Sequence, residues 1–237
     1  MSARQARSFD RAALEYEQGR PGWPDEVLEL VPVDAGATVL DLAAGTGKLT
    51  RVLVEHYASV IAVEPLSSLR AILADRVASA EVLDGRAEAI PLQDSSVDAV
   101  FVAQAFHWFA NDEAVSEIAR VLRTGGVLAS LWNESLEPSP LPDPYRTKLH
   151  ELHAEMPPPT VEEDLLERSG LFGEETEASV EHVQLTDRGG VLAFAASVSW
   201  IASRRDREAV LAELADLVPE GEYAFRMRAT VAWAVRL

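Results

Sequence analysis

Five short stretches in the first 132 residues are apolar almost without a break: 37–43 (ATVLDLA), 59–65 (SVIAVEP), 80–85 (AEVLDG), 97–103 (VDAVFVA) and 126–132 (GVLASLW). They are rich in valine and do not alternate with polar residues. Strands covered by helices on both faces, as in a parallel sheet, have this composition. The intervening stretches 47–57, 66–77 and 112–123 predict helices. In the last, Val115, Ile118, Ala119 and Leu122 recur at helical spacing, and Gly125 and Gly126 follow where a helix stop is expected. The alternation βαβαβ predicts a doubly wound, Rossmann-like α/β domain.

Beyond residue 132 the pattern changes. The segment 133–146 holds four prolines and reads as a loop, and 155–164 (EMPPPTVEED) reads as a second break. Thr160 is placed to cap a helix over 161–169, with Glu163 completing a capping box. A strand is predicted at 177–186, helices at 191–203 and 207–218, and a final antiparallel strand at 223–237. The expected architecture is one domain over 1–237. Its mainly parallel seven-stranded sheet carries helices on both faces. The insertion 133–222 is expected to supply helices that cover the binding edge.

In such sheets ligands bind outside the carboxyl ends of the strands, near the switch in strand order. That rule selects Asp41 to Gly47, Glu64 to Leu66, Gly85 to Glu88 and Ala103 to Trp108. Charge narrows the ligand. The 237 residues carry a formal charge of −18, and the one arginine-dense stretch, SRRDRE at 203–208, is interrupted by acids. A phosphate-tracking protein needs a basic face, so nucleic acid is not an expected partner. The absence of cysteine excludes disulfides and thiolate metal sites and fits a reducing cytoplasm. No apolar stretch reaches the ~20 residues of a membrane helix, and the N-terminal residues lack a signal-peptide core. His150 and His153, spaced i, i+3 with no third ligand apparent, read as a solvated helix face and not as a metal site.

The turn TVLDLAAGTGKLT at 38–50 admits three ligands. A triphosphate loop needs G-x-x-x-x-G-K-[S/T]; here Leu42 stands at the first glycine and Leu49 follows Lys48. The dinucleotide fingerprint G-x-G-x-x-G finds Gly45 and Gly47 in place, but Thr50 at the third position, which governs helix-to-strand packing. Glu64, 19 residues after Gly45, falls about where a ribose-binding acid is expected, so a nicotinamide-dependent oxidoreductase stays open. The third ligand is a sulfonium nucleoside without phosphate. Asp41 would serve its amino-acid tail directly or through water. Glu64 would accept both ribose hydroxyls, and the glycines would let the chain pass under the tail.

Four stretches in order, VLDLAAGTGKLT, VIAVEPLSSL, GRAEAIPLQDSSVDAVFVAQAFHWF and RVLRTGGVLASLW, resemble the class I S-adenosylmethionine-dependent methyltransferases. More narrowly they are similar to the type 11 group, including enzymes like trans-aconitate methyltransferase. The N-terminal SFDRAALEYEQGRPGWP fits the same group. The resemblance covers about residues 8–132, which it marks as the cofactor-binding core. It implies S-adenosylmethionine as cofactor, S-adenosylhomocysteine as product and a small-molecule acceptor. In the first motif Asp41, Gly45 and Gly47 match around Thr46, and Ala43 replaces a glycine, a mild departure. Glu64 matches the ribose-binding acid, with Pro65 and Leu66 beside the adenine. Ala87 and Glu88 match the segment that meets the adenine edge, although Arg86 stands where many relatives have an aspartate. Gln104 opens the segment lining the cleft. Tyr16 and Arg20 match the pair that closes over the methionine end, where a guanidinium suits a carboxylate. On the acceptor side the resemblance points to His107, also a possible general base, with Trp108, Trp132 and Trp200. A protein that keeps the fold and cofactor but not catalysis is the remaining alternative, left open by Ala43 and Arg86.

Overall fold

The computed structural model describes residues 13–154 and 165–237. The elements run α1 (Ala13–Gly19), α2 (Glu26–Glu29), β1 (Thr38–Leu42), α3 (Lys48–His56), β2 (Ser59–Val63), α4 (Ser67–Arg76), β3 (Glu81–Leu83) and β4 (Val97–Ala103). A 3-10 turn at Phe106–Trp108 is followed by α5 (Asp112–Val121), β5 (Leu122–Ser135), α6 (Asp143–Ala154) and α7 (Leu165–Ser169). The chain ends through β6 (Thr176–Asp187), α8 (Arg188–Ser197), α9 (Ser199–Ala202), α10 (Arg207–Asp216) and β7 (Glu222–Val235). Seven strands form one sheet in the order β3-β2-β1-β4-β5-β7-β6.

The first five strands are parallel: β1 pairs with β2 and β4, β2 with β3, and β4 with β5. The Phe172–Arg236 bridge is antiparallel, and Gly125 and Gly126 exchange backbone hydrogen bonds with Arg236 while Glu134 pairs with Arg228. Residue numbers therefore climb on β5 as they fall on β7, the expected antiparallel final strand. The valine-rich strands are buried on both faces, and alternate residues separate cleanly. Leu40, Leu42, Val100 and Val102 pack with Val115 and Ile118 of α5. Val39, Ala99, Phe101 and Ala129 pack with Leu49 and Leu53 of α3 and Val27 and Leu28 of α2.

The chain divides into two compact units. One takes its described residues from Met1–Gly22, Ser135–Pro159 and Glu181–Met227, the other from Trp23–Glu134, Thr160–Val180 and Arg228–Leu237. The first has its own core around Tyr145, Ala195, Ile201 and Leu214. There α1 crosses α8 at a position only glycine tolerates. A Cβ on Gly19 would lie 2.5 Å from Phe194 Cα and closer still to the Phe194 nitrogen.

Three expectations change. The glycine pair after α5 is not a helix stop. Leu122 is already extended, β5 starts there, and Gly125 (φ 80°) and Gly126 lie where the β4–β5 register shifts between Val97 and Ala99. Gly126 is required because a Cβ would sit 2.8 Å from the Asp98 carbonyl. The loop expected at 133–146 is shorter, with β5 reaching Ser135 and α6 starting at Asp143. Pro144 falls in the first helical turn, where its missing N–H costs nothing. The helix expected at 191–203 begins at Arg188, where the Asp187 carboxylate accepts from Gly190 N–H at 2.8 Å, and breaks at the extended Val198. Of the helix expected at 161–169, Leu165–Ser169 is observed; Thr160, Glu163 and the N-terminal residues 8–12 lie outside the described residues.

Candidate cofactor site

The site is laid out by two strand ends and the turn between β1 and α3. Leu42 of β1 pairs with Val63 of β2 and Asp41 with Phe101 of β4. The turn that begins at Ala43 therefore starts between the ends of β2 and β4. The sheet order reverses between β1 and β4, so this is the topological switch point. Two non-glycine residues there adopt left-handed backbone, Ala43 (φ 59°) and Gln104 (φ 56°). An alanine in that region costs about 1 kcal/mol or more, so Ala43 is a strained substitution. Such strain concentrates at binding sites.

Glu64 is 4% exposed, so it is not a solvated strand end. Its carboxylate accepts from Gly45 N–H at 2.9 Å and from Leu66 N–H at 2.8 Å, tying the glycine turn to the end of β2. Arg70 on α4 donates to the Glu64 carbonyl at 2.7 Å and to Asp84 at 3.0 Å, holding the ends of β2 and β3 together. Pro65 is exposed and Leu66 half-buried beside it.

Asp41 is 1% exposed and does not cap the turn. Its Oδ2 accepts from Thr50 Oγ1 on α3 at 2.6 Å. Burial pushes its carboxyl up to about 7; Thr50 opposes that shift, and the neighbouring Glu64 charge adds to it. Thr46, at the tip of the turn, is 1% exposed, and its hydroxyl is buried with no hydrogen-bond partner among the described residues. Buried hydroxyls in native proteins are nearly always satisfied. Gly47 has a packing role. With φ 84° it precedes α3, and a Cβ there would collide with Leu73 Cδ1 and lie 3.2 Å from Val77 Cγ2. Its bare Cα therefore serves the packing of the turn against α4.

After β3, Arg86 is exposed and its backbone bridges to Ala89. Ala87 is buried and Glu88 half-buried, with Asn111 Nδ2 3.5 Å from Glu88 Oε1. Gln104 donates from Nε2 to the Asn133 carbonyl at 2.8 Å, so its side chain braces β4 against β5. His107 is exposed, its ring 4.6 Å from that of Trp108, and Trp132 on β5 is 38% exposed. In the first unit, Arg20 lies between the rings of Tyr16 (5.2 Å) and Phe194 (5.1 Å) and donates to Ser197 Oγ at 3.1 Å. Its burial lowers the guanidinium pKa. Trp200 stacks edge-on with His153 at 5.5 Å, and both belong to that unit. No cluster of three metal-ligating side chains occurs among the described residues.

Two residues of this site escaped the sequence. Thr50 reads as a failed third glycine, yet one turn into α3 it faces back onto Asp41. Arg70 has no motif, and only the fold brings it to the strand ends.

A methyltransferase-domain family model matches residues 40–130, which span the turn, both acids and β4. Over those residues the chain is similar to a methyltransferase domain. It is 48% identical over 126 residues to an uncharacterized methyltransferase of Mycobacterium tuberculosis, covering 53% of this chain and 52% of that one. To an uncharacterized methyltransferase of Schizosaccharomyces pombe it is 40% identical over 132 residues, 54% of this chain and 53% of that one. The chain thus spans about half the length of the curated relatives it matches. A solved structure from Anaeromyxobacter dehalogenans, proposed to be a type II methyltransferase, superposes with a TM-score of 0.66 at 25% identity. The match covers 92% of this chain and 97% of that one.

Proposed function

We propose that the protein binds S-adenosylmethionine and transfers its methyl group to a small-molecule acceptor. One observation carries the reading: two buried carboxylates, Asp41 and Glu64, stand at the carboxyl ends of adjacent parallel strands and are joined through the glycine turn. The cofactor's cationic tail and ribose diol call for that pair of acceptors, and the Thr46 hydroxyl, unpartnered among the described residues, supports a ligand that completes the site. A pyrophosphate does not fit as well. Two acids repel it, and Thr50, buried and bonded to Asp41, occupies the place of the fingerprint's third glycine.

When bound, the cofactor supplies an activated methyl group, which an acceptor nucleophile takes by in-line displacement, leaving S-adenosylhomocysteine. The chain's own work is placement. Asp41 and Thr46 hold the tail, and Glu64 exchanges backbone amides for ribose hydroxyls. Gly45, Pro65, Leu66, Ala87 and Glu88 frame the nucleoside. The segment Gln104–Trp108 and Trp132 orient the acceptor, with His107 placed to take a proton where the acceptor carries one.

Calorimetry with S-adenosylhomocysteine, NAD and NADP tests this reading. Saturable binding of S-adenosylhomocysteine alone, weakened ~10-fold or more by Glu64→Ala, is expected. Binding of a nicotinamide dinucleotide instead would refute it. Cofactor binding without turnover across a wide panel of hydroxyl, carboxyl, amine and thiol acceptors would leave a binding protein in its place.

A further inference from the structure

We propose that Thr50 is a positioning residue of the cofactor site: its hydroxyl aims the Asp41 carboxylate and keeps it able to accept the cofactor's ammonium tail. The inference rests on the methyltransferase reading and adds a residue to it.

Thr50 lies in the first turns of α3 and is fully buried. Its Oγ1 donates to Asp41 Oδ2 at 2.6 Å, a short charge-assisted bond. The Thr50 backbone N–H also bonds this carboxylate. Two bonds from one residue, one of them through a rigid β-branched side chain, fix the carboxylate rotamer, and its two oxygens keep acceptor capacity for a ligand. The same bond has an electrostatic role. Asp41 is buried on the α3 face of the sheet between its strand partners Ala62 and Phe101, and the charge acting on it is Glu64, of its own sign. Such a carboxylate tends to take up a proton, and a protonated acid is a poor acceptor for an ammonium group. The Thr50 hydroxyl and the N-terminal end of α3 both favour the ionised form. Burial outweighs them and pushes the carboxyl up to about 7, so at neutral pH the ionised and neutral forms lie close in energy.

The sign follows directly. Cofactor binding requires ionised Asp41, so affinity is full above the carboxyl's titration and falls below it. For a group titrating near 7, S-adenosylhomocysteine affinity drops about tenfold from pH 8 to pH 6. Thr50→Val keeps the shape and removes the donor. It is expected to weaken S-adenosylhomocysteine binding about tenfold at pH 8 and to move the pH profile to higher pH. Thr50→Ser should restore both. In the unliganded protein, the Asp41 carboxyl resonance, followed by carbon-13 NMR, should titrate higher in Thr50→Val and return in Thr50→Ser. If Thr50→Val does not fold, Thr50→Ala, which cannot crowd the site, carries the same expectation. Wild-type affinity and an unchanged pH profile in the hydroxyl-free variant would overturn the proposal, as would failure of serine to rescue. Those results leave wild-type cofactor binding intact and so fault Thr50 alone. Wild-type protein that binds neither S-adenosylmethionine nor S-adenosylhomocysteine at millimolar concentration faults the methyltransferase reading itself.

Discussion

Asp41→Asn should make the unliganded protein more stable, by an amount that depends on pH. The carboxyl titrates at about 7 in the folded chain, against a reference value of 3.8. The difference of roughly three units, at about 1.4 kcal/mol each, corresponds to about 4 kcal/mol spent in holding a buried charge at alkaline pH. Because the folded value is raised, the folded state binds more protons than the unfolded chain between pH 4 and 7. Wild-type stability therefore falls as pH rises through that window and levels off above it. Asparagine keeps the shape and can still accept from Thr50, but carries no charge. The expected gain is near zero at pH 3, about 2 kcal/mol at pH 5 and about 4 kcal/mol at pH 8, as an upper bound, since the amide also loses solvation. Urea unfolding followed by tryptophan fluorescence, at several pH values for both proteins, measures the difference directly. Titrating groups that do not interact with Asp41 cancel in that comparison, which leaves only its coupling to Glu64. A variant less stable than wild type at pH 8, or a difference that does not change with pH, would refute the account of Asp41. The same variant should bind S-adenosylhomocysteine poorly, the usual conflict between stability and a charged site.

Other substitutions probe the turn and the packing. Ala43→Gly should raise stability by about 1 kcal/mol in thermal or urea unfolding, because it relieves left-handed strain at φ 59°; a loss would mean the strain is absent. Gly47→Ala should cost about 1–3 kcal/mol, since it combines left-handed backbone with a collision against Leu73. Gly19→Ala should be worse, about 3 kcal/mol or more, because the obstacle is the backbone of Phe194, which cannot turn aside. A circular-dichroism melt unchanged by Gly19→Ala would overturn the close crossing of α1 and α8. His107→Ala should lower kcat about 100-fold or more if it takes a proton from the acceptor, with S-adenosylhomocysteine affinity unchanged; an unaltered kcat would reduce His107 to a bystander.

The sequence by itself determined the parallel core. Valine-rich strands at 38–42, 59–63 and 97–103 had to be covered on both faces, because unbroken apolar runs leave no face for water. The placement of Asp41 and Glu64 was legible for the same reason: one is the penultimate residue of such a run and the other follows one, and parallel pairing sets them at neighbouring strand ends. Local signals failed where a distant contact decided the conformation. Gly125 and Gly126 look like a helix stop, yet the neighbouring Asp98 carbonyl makes them the bend of a strand. The contact of Gly47 with Leu73 of α4 has no local signal at all. Thr50 looks like a defect in a glycine motif. Only the packing of α3 against β1 brings its hydroxyl to Asp41, because a hydrogen bond needs a partner within about 3 Å and nine residues of sequence do not specify that distance. The ionisation of Asp41 belongs to the tertiary structure for the same reason. An aspartate in the sequence is an ordinary acid, and only its enclosure among buried neighbours beside a second carboxylate raises its pKa toward neutrality.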